Sequence, residues 1–233
     1  PAQAVHIEPG AWSGADNGDP QFKKWFSRYT EDYSPDLNSW AVLTAMQNLV
    51  HTYEDLLGDA DSPPELTQAI ELMLRAETSC YWYWTGQHEW DIQVTQAANV
   101  VVELFKPAAE KIQNQDATGP TIFPPWIYPE NPGGKTWGDH DLTDAPAQGR
   151  LHTFIYDVSG ITQANLVIRT SSEEKVIELK DHGSYPSQTQ PACIASLFTA
   201  DLPVGLGDVR YFIQTTDQKG NTSRGALERI ALP

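Results

Sequence analysis

Carboxylates set beside aromatic rings are the groups in this sequence whose types and spacing could do chemistry. Glu77, Glu89 and Asp91 flank the run Tyr81-Trp82-Tyr83-Trp84 in the segment AETSCYWYWTGQHEWD (76–91), where Trp90 adds a fifth ring. Near the start of the chain Glu8 follows Val5-His6-Ile7, which reads as the end of a strand, and a Gly/Asp/Asn-rich loop with Trp12 comes next. An acid at a strand's C-terminal end is where α/β enzymes place catalytic groups, so Glu8 is the candidate catalytic residue. Flat rings with indole or phenol donors among carboxylates suit sugars, whose apolar faces stack and whose hydroxyls bond the acids. Trp12, Glu77, Tyr81, Trp82, Trp84, Glu89 and Asp91 are therefore the candidate substrate-binding set. Any one ring of the block could fill a helix–helix core, but four adjacent rings cannot all point into it.

Other chemistries find no support. The six histidines show no metal spacing, and there is no phosphate loop, no GxSxG and no Cys/His pairing. The expectation is no metal and no cofactor. Calcium is the one ion with oxygen-rich candidates, at Asp16, Asn17 and Asp19 and at Asp139, Asp141 and Asp144, but neither cluster matches a calcium-loop motif. Asn221-Thr222-Ser223 is a glycosylation sequon on an expected turn. The net charge of −16 opposes binding to nucleic acid or anionic membranes and suits a neutral ligand. No apolar run approaches the roughly 20 residues needed to span a bilayer. Cys80 and Cys193 are too few for a disulfide scaffold and are expected to be two buried thiols.

The elements that must position these residues change character along the chain. All eight tryptophans precede residue 138. Ser34-Pro35 opens a helix with apolar residues at Leu37, Trp40, Ala41 and Leu43, running to Leu57 with Gly58 as its stop. Ser62-Pro63-Pro64-Glu65 has capping-box spacing and predicts a second helix running into the aromatic block, with Gly86 ending it. A third helix from about Glu89 should bend or end its first half at Pro107. The Pro/Gly-rich connector GPTIFPPWIYPENPGGKTWGDH (119–140) excludes a regular helix or central strand, and its aromatics require it to pack on a domain. After it the period becomes two in LHTFIYDV (151–158), ANLVIRT (164–170), KVIEL (175–179), VRYFIQTTD (209–217) and ALERIAL (226–232). The fold class is therefore α+β: a Trp-rich, bundle-like helical domain followed by an antiparallel β-sandwich of immunoglobulin or fibronectin-III type. The expected divisions are 1–118 for the helices and N-terminal loop, 119–147 for the connector, and 148–233 for the sandwich.

Three segments resemble a known family. HIEPGAWSGADNGDPQFKKW (6–25), AETSCYWYWTGQHEWD (76–91) and GPTIFPPWIYPENPGG (119–134) are similar to the later part of glycoside hydrolase family 57 proteins, the α-amylase and amylopullulanase-like group. That family cleaves or transfers α-glucan chains with retention, which takes two carboxyls about 5 Å apart, one attacking and one protonating the leaving oxygen. Its acid/base aspartate follows a serine just before an aromatic cluster; here Ser79-Cys80-Tyr81 matches, with Cys80 in the aspartate's place. A thiol is a poor acid for a glycosidic oxygen. The family's N-terminal half, with its H-x-H motif and most barrel strands, does not appear in these 233 residues.

The resemblance implies binding of an oligo- or polysaccharide, with glucan favoured, by the C-terminal portion of such a hydrolase that is not catalytic alone. Two alternatives stand beside it. One is an active hydrolase using Glu8 with a second acid. The other is a structural or assembly module whose aromatic face docks the missing barrel or another subunit. Accessory sandwiches accompany extracellular polysaccharide enzymes, which favours a secreted or periplasmic setting by association.

Overall fold

The structure is a computed structural model that describes residues 35–58, 62–78, 80–83, 88–128, 149–170, 173–205 and 207–232. Helix α1 (Pro35–Leu57) has a proline in its first turn, where the absent N–H costs nothing. It ends at Gly58, which takes φ 56 and bonds its N–H to the Glu54 carbonyl. Leu37, Ala41, Val42, Ala45, Met46, Val50 and Tyr53 are all buried, so α1 is covered on more than one side.

Helix α2 (Pro64–Ala76) buries Leu66, Ala69, Met73 and Ala76 along one stripe. The expected capping box does not form. Pro63 is the N-cap, without a side-chain bond, and its carbonyl accepts the Leu66 and Thr67 N–H groups. The helix also stops at Ala76, short of the aromatic block, which begins the separate turn α3 (Cys80–Tyr83). After α4 (His88–Asp91), α5 (Gln93–Phe105) buries Val94, Ala98, Val101 and Phe105 at helical spacing. Pro107 then lies in a 3₁₀ turn (Lys106–Ala108) before α6 (Ala109–Asn114), as a residue lacking an N–H requires. Helices α1, α2 and α5 pack against one another. None of the described helices is long and apolar enough to cross a membrane.

Two antiparallel sheets follow. In the first, β1 (Thr121–Ile122) and β2 (Trp126–Tyr128) pair with β3 (Arg150–Tyr156), which pairs with β7 (Ser196–Asp201), which pairs with β6 (Lys180–Ser184). In the second, β9 (Thr222–Arg224) and β10 (Glu228–Leu232) pair with β8 (Gly207–Asp217), then β4 (Ile161–Arg169), then β5 (Glu174–Glu178). The connector thus supplies an edge of the first sheet, with Pro124-Pro125 between its two short strands, where a missing donor is tolerated. The chain crosses between sheets at buried Leu179.

Leu151, Ile155, Leu166, Ile168, Phe198, Val209 and Ile213 fill the space between the sheets. The alternate β3 positions Phe154 and Tyr156 pack on the helical side, with Leu37, Ala41, Phe123 and Trp126. Period-two alternation buries both faces of β3, so its sheet is the middle of three layers. The expected helical and sandwich units are accordingly joined through a shared core. Ala195 donates its N–H to the Ala41 carbonyl at 3.0 Å, and Asn48 of α1 accepts the Val158 N–H at 3.0 Å.

Candidate functional site

The aromatic block divides by exposure. Trp82 on α3 is only 2% exposed and lies flat on Trp40 of α1, ring centroids 3.7 Å apart and planes 7° from parallel. Trp40 continues to Phe123 at 5.1 Å, and Phe123 to Trp126 at 6.0 Å and Phe154 at 5.7 Å. This ladder of rings fastens the block to α1 and the first sheet. Trp82 was expected as a stacking platform for sugar; that role is corrected, because a ring so enclosed has no face left to offer. Its Nε1 is buried without an acceptor among the described residues, as is that of Trp40.

Tyr81 and Trp90 behave differently. Both are partly exposed, with ring centroids 6.1 Å apart at 41°, where α3 and α4 pack together. Trp90 was not in the sequence-derived set, although its place after the polar run GQHE marked it as a ring apart from the block. Glu89 precedes it on α4 with an exposed side chain, and Asp91 follows, partly buried. Glu77 stands at the C-cap of α2 with an exposed side chain whose Oε1 accepts Gln47 Nε2 at 2.9 Å. Glu8, Trp12 and Trp84 lie outside the described residues, as do Ser79, Gly86 and both acidic loops considered for calcium.

The thiols separate as well. Cys193 is buried and burial pushes it up to about 12, but Cys80 is exposed, against the expectation of two buried thiols; both are free. The short α3 turn places Cys80 on its outer side while Trp82 takes the inner one.

A second constellation was not legible in the sequence. Asp116, Asp157 and Asp217 each offer a carboxylate oxygen, and these oxygens lie within 4.8 Å of one another. The three residues are 7%, 6% and 1% exposed. Asp116 comes from the segment between α6 and β1, Asp157 directly follows β3, and Asp217 ends β8. Asp157 Oδ1 accepts the Ser159 N–H at 2.8 Å and its hydroxyl at 2.7 Å. Asp217 Oδ1 accepts the Lys219 and Asn221 N–H groups, both at 2.8 Å, and its Oδ2 accepts Asn221 Nδ2 at 2.7 Å. Asp116 Oδ1 accepts the Thr118 N–H at 3.0 Å. Burial raises the Asp157 carboxyl well above the usual range, with Asp116 and Asp217 adding to it, against the lowering effect of the Ser159 bonds.

No family model matches the chain, and no curated protein matches it in sequence.

Proposed function

We propose that this chain binds a neutral glycan, glucan first among candidates, as the non-catalytic portion of a protein resembling the family 57 glycoside hydrolases. The observation that carries this reading is the Tyr81–Trp90 pair, two partly exposed rings 6.1 Å apart. Such rings stack on the apolar face of a pyranose, and the adjacent Glu89 and Asp91 accept its hydroxyls. The net charge of −16 favours an uncharged ligand over a polyanion. Strand order adds support. An edge–β3–β7–β6 sheet facing an edge–β8–β4–β5 sheet matches the order of immunoglobulin-type sandwiches, in keeping with an accessory module after a Trp-rich helical layer. Catalysis is not assigned to this chain, since Cys80 stands where the family's acid/base aspartate would stand.

The test is tryptophan fluorescence of the folded chain, titrated with α-glucans, β-glucans and other neutral oligosaccharides. A saturable change with one sugar class, reduced in Trp90→Ala, supports the reading. Silence across the panel from a folded protein contradicts it.

A second reading is favoured by the Trp40–Trp82 stack, which shows that part of the block serves packing. In it the outer rings dock another protein surface, and the chain is blind to sugar and self-associates. Retention of hydrolase activity that is lost in Glu8→Gln would instead favour an active enzyme.

A further inference from the structure

The three converging aspartates lie outside the glycan reading and are independent of it. Among the described residues the hydrogen bonds they accept come from backbone N–H groups, the Ser159 hydroxyl and the Asn221 amide, and no cationic side chain offsets their charge. Asp116 Oδ2 and Asp157 Oδ2 are shielded from solvent and accept no hydrogen bond from the described residues. Buried polar atoms are almost always partnered, and carboxylates most of all, so two orphaned oxygens in one acidic cluster point to a ligand.

We infer that Asp116, Asp157 and Asp217 bind a divalent cation, calcium by their chemistry and spacing. Calcium takes hard oxygen ligands at about 2.3–2.6 Å, which sets oxygens on opposite sides of the ion roughly 5 Å apart. The three carboxylate oxygens fall within 4.8 Å of one another, inside that limit. Among the described residues no sulfur or imidazole joins them, which disfavours zinc and the softer metals. Magnesium demands a tighter octahedron at about 2.0–2.1 Å and keeps more of its water.

The placement gives the ion a structural task. One ligand follows a strand of the first sheet, one ends a strand of the second, and one lies on the segment arriving from the helices. Asn221 Nδ2 donates to Asp217 Oδ2 at 2.7 Å and to the Asp116 carbonyl at 3.3 Å, holding two ligand segments together. The sequon asparagine is thus engaged at the site, with both of these bonds donated by its amide nitrogen.

The test uses the full chain stripped with EDTA, titrated calorimetrically with calcium chloride and followed by thermal unfolding in calcium or magnesium. The expected result is a saturable heat and a Tm rise of about 5–10 °C at roughly a hundredfold excess over Kd. Magnesium should give a smaller rise, and Asp116→Asn should abolish the calcium response. Asp157→Asn serves as a second variant if the first does not fold. The inference is overturned if the folded wild type shows neither heat nor a Tm change. It is equally overturned if magnesium matches calcium, or if Asp157→Asn raises the Tm and leaves the calcium response intact, as a proton-sharing cluster would.

Discussion

Trp82 lies parallel to Trp40, 3.7 Å between ring centroids, and is 2% exposed. The stack joins the aromatic block to α1 and continues through Phe123 to the first sheet. Two adjacent rings of the block thereby part company: Trp82 turns inward and becomes core, while Tyr81 stays partly exposed.

Trp82→Ala is therefore expected to destabilise the fold by about 3–5 kcal/mol through lost burial and the cavity left behind. Trp82→Phe should cost less, since a ring still covers Trp40. Urea denaturation of both variants checks this; equal stability of wild type and Trp82→Ala contradicts the packing assignment.

Asn48 is fully buried on α1, where its Oδ1 accepts the Val158 N–H at 3.0 Å and its Nδ2 donates to the Gly119 carbonyl at 3.4 Å. One side chain thereby ties the helical layer to the connector and to the turn after β3. Asn48→Ala leaves both backbone groups without that partner and should cost about 2–3 kcal/mol in denaturant unfolding. Asn48→Leu, which keeps the volume but not the amide, should not restore the loss.

Gly119 is required by close approach. A Cβ there would stand 2.5 Å from Ser223 Oγ and 2.8 Å from the Thr222 carbonyl oxygen. The second of these is backbone and cannot swing aside. Gly119→Ala should lower stability by about 1–3 kcal/mol, read as a lower Tm.

His152 gives a pH signature. Burial lowers it from the ordinary value of 6.5 to about 4, with Arg150 and His182 opposing its charge, while the Arg150 carbonyl and Asp201 partly offset this. The ring also stacks on Trp126 at 5.5 Å and 14°. Because the folded value is depressed, the unfolded chain binds the proton first as pH falls. The contribution is fully present above about pH 6.5 and is lost progressively down to about pH 4, in total roughly 3 kcal/mol. Chemical denaturation of wild type and His152→Gln across this range should show a steeper loss in wild type; parallel curves contradict it.

Strong periodicity made much of the fold legible. Helix α5 and strands β4 and β8 follow apolar spacing that matches their buried faces, while α1 and β3 are buried beyond the face their spacing marks. Strand β6, Lys-Asp-His-Gly-Ser, is exposed throughout and carries no alternation, because pairing with β7 and not burial defines it. The end of α2 was misplaced because helical propensity continues beyond Ala76 while tertiary packing turns the chain. Which ring of the block would be buried depends on where Trp40 stands, a contact between helices that spacing within one segment does not encode. Asp116, Asp157 and Asp217 are far apart in the chain and each reads as an ordinary turn residue. Only the meeting of three distant segments at one end of the sheets makes them a cluster.

The most direct test of the glycan reading is affinity electrophoresis of wild type, Trp90→Ala and Trp82→Phe through gels containing soluble α-glucan or β-glucan. The account predicts retardation of wild type by one glucan, about tenfold weaker binding in Trp90→Ala, and near-wild-type retardation of folded Trp82→Phe. Unretarded wild type in every gel, or Trp90→Ala retarded as strongly as wild type, would contradict it.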